Sequence, residues 1–131
     1  MEEIFKALME KGEIYEYLSR NPIPLVGEGE LSSFLREYEL VFIYFTAEWC
    51  SPCIRLLPEL AKASLKARKA RAKIVRVDVD RSHSLANKYR IERLPSLLVA
   101  RKGRIIDSVT GTPAPGALRS LIESYVEGLK K

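Results

Sequence analysis

The chain has 131 residues, of which 47% are apolar and 30% charged, and its formal net charge at pH 7 is +5. This size and apolar content are sufficient for one sizeable hydrophobic core. The longest apolar run, Leu40 to Phe45, has the length of a strand, whereas a membrane-spanning helix needs about 18 or more consecutive apolar residues. The composition therefore predicts a soluble protein with no membrane partner.

The N-terminus and the cysteine content bear on the compartment. Residues Met1 to Lys6 include glutamates where a secretory signal has basic residues, and no apolar segment with a cleavage site follows. This predicts a cytoplasmic protein. The two cysteines, Cys50 and Cys53, exclude a framework of several disulfides, and a bridge closing so short a loop would restrict the unfolded chain little. The pair therefore indicates chemistry rather than scaffolding.

The positive charge is unevenly distributed. The segment from Lys62 to Arg76 contains basic residues and no acid. A solvated helix face explains this run better than a nucleic-acid interface does, so we do not expect nucleic acid as a partner.

The first part of the chain has a helical pattern. Apolar residues recur at roughly helical intervals over residues 2 to 20, with an interruption at Gly12. The prolines between Asn21 and Pro24 should end any helix, because proline lacks the amide donor and restricts the residue before it. We therefore predict a helical N-terminal extension, residues 1–21, before a main domain of residues 22–131.

The next segments predict the centre of the fold. A short helix over Leu31 to Tyr38 leads to a strand over Leu40 to Thr46, whose nearly continuous apolar character is typical of a central strand covered on both faces. A helical pattern then runs from the cysteine pair to about Ala72, and Pro58 should kink it.

The remaining elements complete a mixed sheet. A strand over Ile74 to Val79 and a short helix near Ser82 to Tyr89 follow. This second strand is joined to the first, Leu40 to Thr46, by a helical crossover, which predicts that the two strands are parallel. Apolar runs at 96–100 and 104–109 predict an antiparallel hairpin. A final amphipathic helix beginning near Pro113 to Pro115 should cover one side of the sheet. The expected class is α/β.

The cysteine pair has a setting that favours redox chemistry. Cys50 directly follows the predicted central strand and opens a helix, so backbone amides and the helix dipole can stabilise its thiolate. Cys53 lies nearly one turn later on the same side, where it can attack a mixed disulfide formed on Cys50. Cys50 is thus the predicted nucleophile and Cys53 the predicted resolving thiol. Pro52, in the first helical turn, stiffens the loop and tunes its redox poise.

These residues also resemble a known family. Ala47-Glu48-Trp49-Cys50-Ser51-Pro52-Cys53 resembles the active-site segment of the thioredoxin family, and Pro58 occupies the family's helix-kink position. Arg93-Leu94-Pro95-Ser96 is similar to the family's cis-proline segment, while Gly103 and Gly111 match its hairpin turn and a glycine beside the substrate groove. The resemblance covers residues 40–127. It implies a thioredoxin fold, with a central mixed sheet of four or five strands flanked by helices.

The resemblance further implies a substrate groove. Pro95 would be in the cis form facing the cysteines, and the backbone of Leu94 would pair with an extended substrate segment, as an exposed backbone edge can. Trp49 and Gly111 would line the same groove.

The implied activity is that of a protein-disulfide reductase. It would act on disulfide-containing proteins, be regenerated by an electron-donating disulfide reductase, and serve electron transport and cell redox homeostasis. It would need no metal and no cofactor beyond the redox-active Cys50–Cys53 disulfide.

Two positions depart from the family's pattern. Tyr44 stands where the family has a buried aspartate that helps to deprotonate the resolving cysteine. Because tyrosine is too weak an acid to replace it at neutral pH, Cys53 would rely on water or on Glu48, and resolution should be slower. Ser51 replaces a glycine. Strongly oxidising relatives carry histidine between the cysteines, so the Ser51-Pro52 dipeptide favours a reductant.

Other interpretations of the cysteine pair are weaker. A closed zinc site needs four ligands, and beyond the two thiols the chain offers only His83, expected at a helix start on the surface, and carboxylates. A c-type haem would require a histidine after Cys53. The rival function is a redox-regulated binding or chaperone-like module with little turnover.

For the extension, a cap over the sheet edge or core is the first hypothesis, and a homodimer or partner interface the second.

Overall fold

The computed structural model describes residues 2–10, 14–15 and 23–129. Within these ranges no helix has the length and apolar character needed to span a membrane. The predicted interruption at Gly12 and the predicted boundary between residues 21 and 22 lie outside the described residues. In chain order the elements are α1 (Glu2–Glu10), α2 (Glu28–Glu37), β1 (Leu40–Thr46), α3 (Ser51–Arg55), α4 (Leu57–Ala67), β2 (Ala72–Asp78), α5 (His83–Lys88), β3 (Ser96–Arg101), β4 (Arg104–Thr110) and α6 (Ala117–Gly128).

Among the described residues the sheet has four strands in the order β2-β1-β3-β4. Strand β1 pairs in parallel with β2 and antiparallel with β3, and β3 and β4 form the antiparallel hairpin. The predicted α/β class and mixed sheet are therefore confirmed. Because β1 has a partner strand on each side, the turn that follows it lies near the middle of one end of the sheet.

Strand β1 is buried along its whole length because helices cover both faces of the sheet. On one face, Phe42 and Tyr44 share a core with the buried residues of α4 and α6. On the other, Ile43 and Phe45 pack with residues of α2 and α5, among them Leu31 and Leu85. The prediction of a central strand covered on both faces is thus confirmed.

The helical segment after the cysteines differs from its prediction. It consists of two helices, α3 and α4, separated at Leu56. Pro58 has no amide hydrogen to donate to the carbonyl of Ile54, so the helical ladder breaks there, and the proline is accommodated in the first turn of α4. The segment also ends at Ala67 rather than near Ala72, because Ala72 pairs with Leu40 and begins β2.

The basic run does not form one solvated helix face, as its residues fall on different elements. Lys66 and Arg68 are exposed at the end of α4, but Lys73 and Arg76 belong to β2, and Arg76 is fully buried. Arg76 pairs in register with Tyr44 on the neighbouring strand. Alternation along a strand places it on the core face, which a helical interpretation of the run could not anticipate.

The segment before α2 covers the outer edge of β2. The amide of Val26 donates to the carbonyl of Arg76 at 2.8 Å, and the amide of Arg76 donates to the carbonyl of Pro24 at 2.8 Å. Ile14, Tyr15 and Ile23 are buried in the core cluster that also contains the cysteines. An edge covered in this way offers fewer unpaired backbone groups to another chain.

A pair of leucines in α4 tests the position of the core. Leu60 is fully buried and Leu65 is exposed on the same helix. Leu60→Ala should lower the free energy of unfolding by about 2–5 kcal/mol because it leaves a cavity, whereas Leu65→Ala should change it by less than about 1 kcal/mol. Urea denaturation of both variants measures the difference, and equal effects would contradict the assigned packing.

Candidate active site

The two cysteines lie where β1 passes into α3. Cys50 is the N-cap residue of α3, and Pro52 falls in the first turn. Cys50 and Cys53 form a disulfide with a Cα–Cα distance of 5.3 Å. Cys50 is 5% exposed and Cys53 is 0% exposed. The backbone amide of Cys53 donates to Sγ of Cys50 at 3.4 Å.

Pro95 and Gly111 lie together close to Tyr44. The Leu94–Pro95 peptide bond is cis, the isomer that the family resemblance implies. The amide of Gly111 donates to the carbonyl of Pro95 at 2.9 Å, and Gly111 has φ +85°, a conformation that suits glycine. Tyr44, Leu56, Pro95 and Gly111 contribute to the lining of one apolar cavity too narrow to hold a water molecule.

Trp49 is a surface residue held by a hydrogen bond. Its side chain is 69% exposed, which excludes a core-filling role. Its indole Nε1 donates to Oδ2 of Asp80 at 2.8 Å. Sequence analysis placed Trp49 beside the nucleophile but did not identify Asp80 as its partner.

Tyr44 contacts the cysteine pair through the backbone of Cys53. Its hydroxyl donates to the carbonyl oxygen of Cys53 at 2.9 Å. Burial, and secondarily the negative charge of Glu59, raises the pKa of Tyr44 well above its usual value, despite the opposing charge of Arg76. The hydroxyl therefore stays protonated at neutral pH and holds the Cys53 backbone instead of accepting a proton.

Glu48 has a partner other than the resolving cysteine. Its carboxylate forms an exposed ion pair with the guanidinium of Arg81. Sequence analysis suggested that Glu48, or else water, accepts the proton of Cys53. The Glu48 carboxylate is instead engaged by Arg81. The ion pair also joins the active-site turn to the loop after β2.

The end of β2 and the loop after it contribute residues that sequence analysis missed. Asp78 is buried, and its Oδ1 accepts hydrogen bonds from the amides of Asp80 at 2.8 Å and Arg81 at 3.2 Å. The signal was present in the predicted parallel strands, but the prediction was not extended to the residues that follow β2. Because the two strands are parallel, the charged residues following β2 must lie beside the turn that follows β1.

The remaining candidate residues are placed as follows. Ser51 is exposed, Pro52 and Leu94 are half-buried, and His83 is exposed at the start of α5. In the part of the chain that the structure describes, no group of three or more His, Cys, Asp or Glu side chains is placed to hold a metal ion.

Comparisons with known proteins agree with this geometry. Residues 25–124 match the family model described as Thioredoxin. The chain is 33% identical over 101 residues to thioredoxin 1 of Plasmodium falciparum, covering 77% of this chain and 94% of the relative. It is 31% identical over 87 residues to thioredoxin of Bacillus subtilis, covering 66% of this chain and 83% of the relative.

A solved structure shows the same likeness in three dimensions. The solution structure of oxidised thioredoxin from Plasmodium falciparum superposes with a TM-score of 0.72 at 31% identity, covering 80% of this chain and 99% of that one. The family match extends over most of the sequence and includes the strand, turn and helix that present the Cys50–Cys53 disulfide. The chain therefore belongs to the thioredoxin family and is a thiol–disulfide oxidoreductase.

Proposed function

We propose that the protein reduces protein disulfides, with Cys50 as the attacking thiol and Cys53 as the resolving thiol. The observation that carries this assignment is the unequal exposure of the two residues: Cys50 keeps 5% of its surface exposed, whereas Cys53 has none. A protein substrate can approach only a thiol that it can reach. Cys53 is near enough to attack Cys50, since the two already form a disulfide.

The proposed exchange proceeds in two steps. In the reduced protein, the Cys50 thiolate attacks one sulfur of the substrate disulfide, forming a mixed disulfide and releasing the other substrate sulfur as a thiolate, which takes up a proton. The Cys53 thiolate then attacks Sγ of Cys50, releasing the second substrate thiol and forming the Cys50–Cys53 disulfide. Two electrons have passed to the substrate, and the redox-active group is the cysteine pair itself.

Local backbone geometry supports Cys50 as the attacking group. The Cys53 amide directed at Sγ of Cys50 can stabilise negative charge on that sulfur, and a helix N-cap favours a thiolate. In this proposal Ser51 and Pro52 tune the redox potential through the conformation of the same turn.

The substrate would lie across the surface next to Cys50. We assign its groove to Trp49, Leu94, Pro95 and Gly111, with the Leu94 backbone pairing with an extended substrate segment. The exposure of Trp49 and the hydrogen bond between Gly111 and Pro95 support a formed surface of this kind.

Continued turnover requires a source of electrons. We propose an electron-donating disulfide reductase as the second partner, which places the protein in electron transport and cell redox homeostasis. The cytoplasm is the proposed compartment, because both cysteines of the chain are in the active site and structural disulfides are rare in reducing compartments.

We further propose that residues 1–21 form an extension that caps the domain of residues 22–131. The burial of Ile14 and Tyr15 in the main core supports a cap more directly than it supports a homodimer interface.

Cysteine variants test the two roles. Cys50→Ser should abolish reduction of a disulfide-bonded test protein, while Cys53→Ser should accumulate mixed disulfides on Cys50, because the resolving step is lost. Mass spectrometry of the trapped adducts would identify the substrates. Reduction that persists in Cys50→Ser would refute the assignment, and normal client binding without turnover in the unaltered protein would favour a binding module.

Tyr44 provides a test of proton handling. Tyr44→Asp should accelerate release of thiol from a preformed mixed disulfide by at least about tenfold, because a carboxylate can act as a general base towards Cys53. Stopped-flow measurement of thiol release gives the rate. Tyr44→Phe is the control, since it removes only the hydrogen bond to the Cys53 carbonyl. An unchanged rate in Tyr44→Asp, or equal acceleration in both variants, would contradict the prediction.

Deletion of residues 1–20 separates a cap from an interface. Since it exposes core surface now covered by Ile14 and Tyr15, the free energy of unfolding should fall by about 3–5 kcal/mol while the oligomeric state is unchanged. Chemical denaturation and analytical ultracentrifugation measure the two quantities. A dimer that becomes a monomer on deletion would instead assign the extension to an interface.

A further inference from the structure

We propose that Tyr15, in the N-terminal extension, is a positioning residue for the active site, acting through Asp78 and Arg81 on the turn that carries Trp49. The proposal rests on the role of Cys50 as the attacking thiol, because the restrained turn ends at that residue. It gives the extension a part in the reaction as well as in stability.

The first step of the argument is the attachment of Tyr15 to the buried end of β2. The Tyr15 hydroxyl donates to Oδ2 of Asp78 at 2.5 Å, and both residues are buried. The Tyr15 ring lies 5.1 Å from the guanidinium carbon of Arg76 and 5.9 Å from that of Arg81. A hydrogen bond to a carboxylate, together with two cations near the ring, fixes both ends of this side chain.

The second step is the use that the loop makes of Asp78. One carboxylate oxygen, Oδ1, accepts the amides of Asp80 and Arg81 at 2.8 and 3.2 Å. The other, Oδ2, receives the Tyr15 hydroxyl and lies 3.6 Å from Nε of Arg81. The orientation of this carboxylate therefore sets both the backbone of the loop and the position of the Arg81 side chain, and Tyr15 helps to fix that orientation.

The third step connects the loop to the cysteine. Asp80 accepts the indole hydrogen bond of Trp49 at 2.8 Å, and Arg81 forms its ion pair with Glu48. The amide of Val79 also donates to the carbonyl of Thr46 at 3.0 Å, at the end of β1. Glu48 and Trp49 immediately precede Cys50 in the chain, so the contacts that restrain their side chains also restrain the approach of the backbone to Cys50.

A cap alone would not require this arrangement. Any large apolar side chain could fill the space of the Tyr15 ring, but only a donor can satisfy Oδ2 of a carboxylate in a buried position. A cavity of about 160 Å³ lies against Asp78 and Arg81 on the side of Leu25 to Gly27. It gives both side chains room to move if the Tyr15 hydroxyl is removed.

The single tryptophan of the chain makes the proposal measurable, because its fluorescence reports on Trp49 alone. Tyr15→Phe keeps the ring and removes the hydroxyl. We expect a shift of the Trp49 emission in the reduced protein. We also expect an about fivefold slower reaction of Cys50 with a disulfide-bonded test protein, because part of the stabilisation lost with the charge-assisted hydrogen bond is lost at the turn.

Tyr125→Phe is the matched control. The Tyr125 hydroxyl donates to Oδ2 of Asp107 at 2.7 Å, between α6 and β4. This variant loses the same kind of hydrogen bond but touches neither the loop after β2 nor the active-site turn. Its emission and its rate of Cys50 reaction should remain those of the unaltered protein.

A double-variant cycle tests the route. Arg81→Met breaks the ion pair with Glu48, so it should by itself shift the Trp49 emission and slow the reaction of Cys50 with the test protein. Combined with Tyr15→Phe, it should slow the reaction by less than the product of the two separate factors, because both changes interrupt one chain of contacts.

The outcomes distinguish positioning from simple support. If Tyr15→Phe lowers the unfolding free energy but leaves the emission and rate unchanged, or if the factors in the double variant multiply, the proposal is overturned. The emission of Trp49 requires no turnover, so a shift would still be seen if Cys50 were not the attacking thiol, and the Cys50→Ser assay detects that separate failure.

Discussion

The position of the active site depends on the complete burial of β1. This strand is hydrogen-bonded on both edges and packed on both faces, so its C-terminal end has little freedom to move relative to the rest of the sheet. A short turn carries the chain from Thr46 to Cys50, and the same core cluster contains Cys53. Removal of core side chains would therefore affect the site as well as stability.

A second constraint is polar and lies at the same end of the sheet. Arg76 and Asp78 occupy the core face of β2, where a strand in a sheet ordinarily presents apolar residues to the helices. Buried charges are costly unless they have partners. The carbonyl of Ile23 accepts from Arg76 at 2.9 Å, and Tyr15 donates to Asp78. Residues outside the central sheet thus contact both buried charged side chains, which joins the N-terminal segment to the active-site end.

Tyr44 contacts the backbone of the cysteine pair, and in our proposal it changes the chemistry expected of that pair. Its hydroxyl is a donor to the Cys53 carbonyl and, being buried, is kept protonated. The position that the family resemblance assigns to proton transfer is therefore occupied by a group that restrains the backbone. In our proposal the speed of substrate attack and the speed of resolution have separate determinants, the first at the Trp49 turn and the second beneath Cys53.

The sequence by itself determined the elements of the fold and the reactive pair, because those features have local causes. The unbroken apolar run of β1, the amphipathic last helix and the motif around Cys50 all have patterns that do not depend on distant residues. The two-helix break at Leu56 was only partly predictable, since the proline indicated a kink but not how completely the ladder would separate.

Only the tertiary structure decided which charged residues belong to the site. Whether Arg76 is solvated or buried depends on strand alternation and on what covers the edge of β2, and neither can be determined from the basic run itself. Trp49 and Asp80 are far apart in the chain and meet because β1 and β2 are parallel neighbours. The attachment of Tyr15 to Asp78 spans 63 positions. Side-chain hydrogen bonds at such separations follow from packing, because no local periodicity encodes which distant donor will face a given buried acceptor.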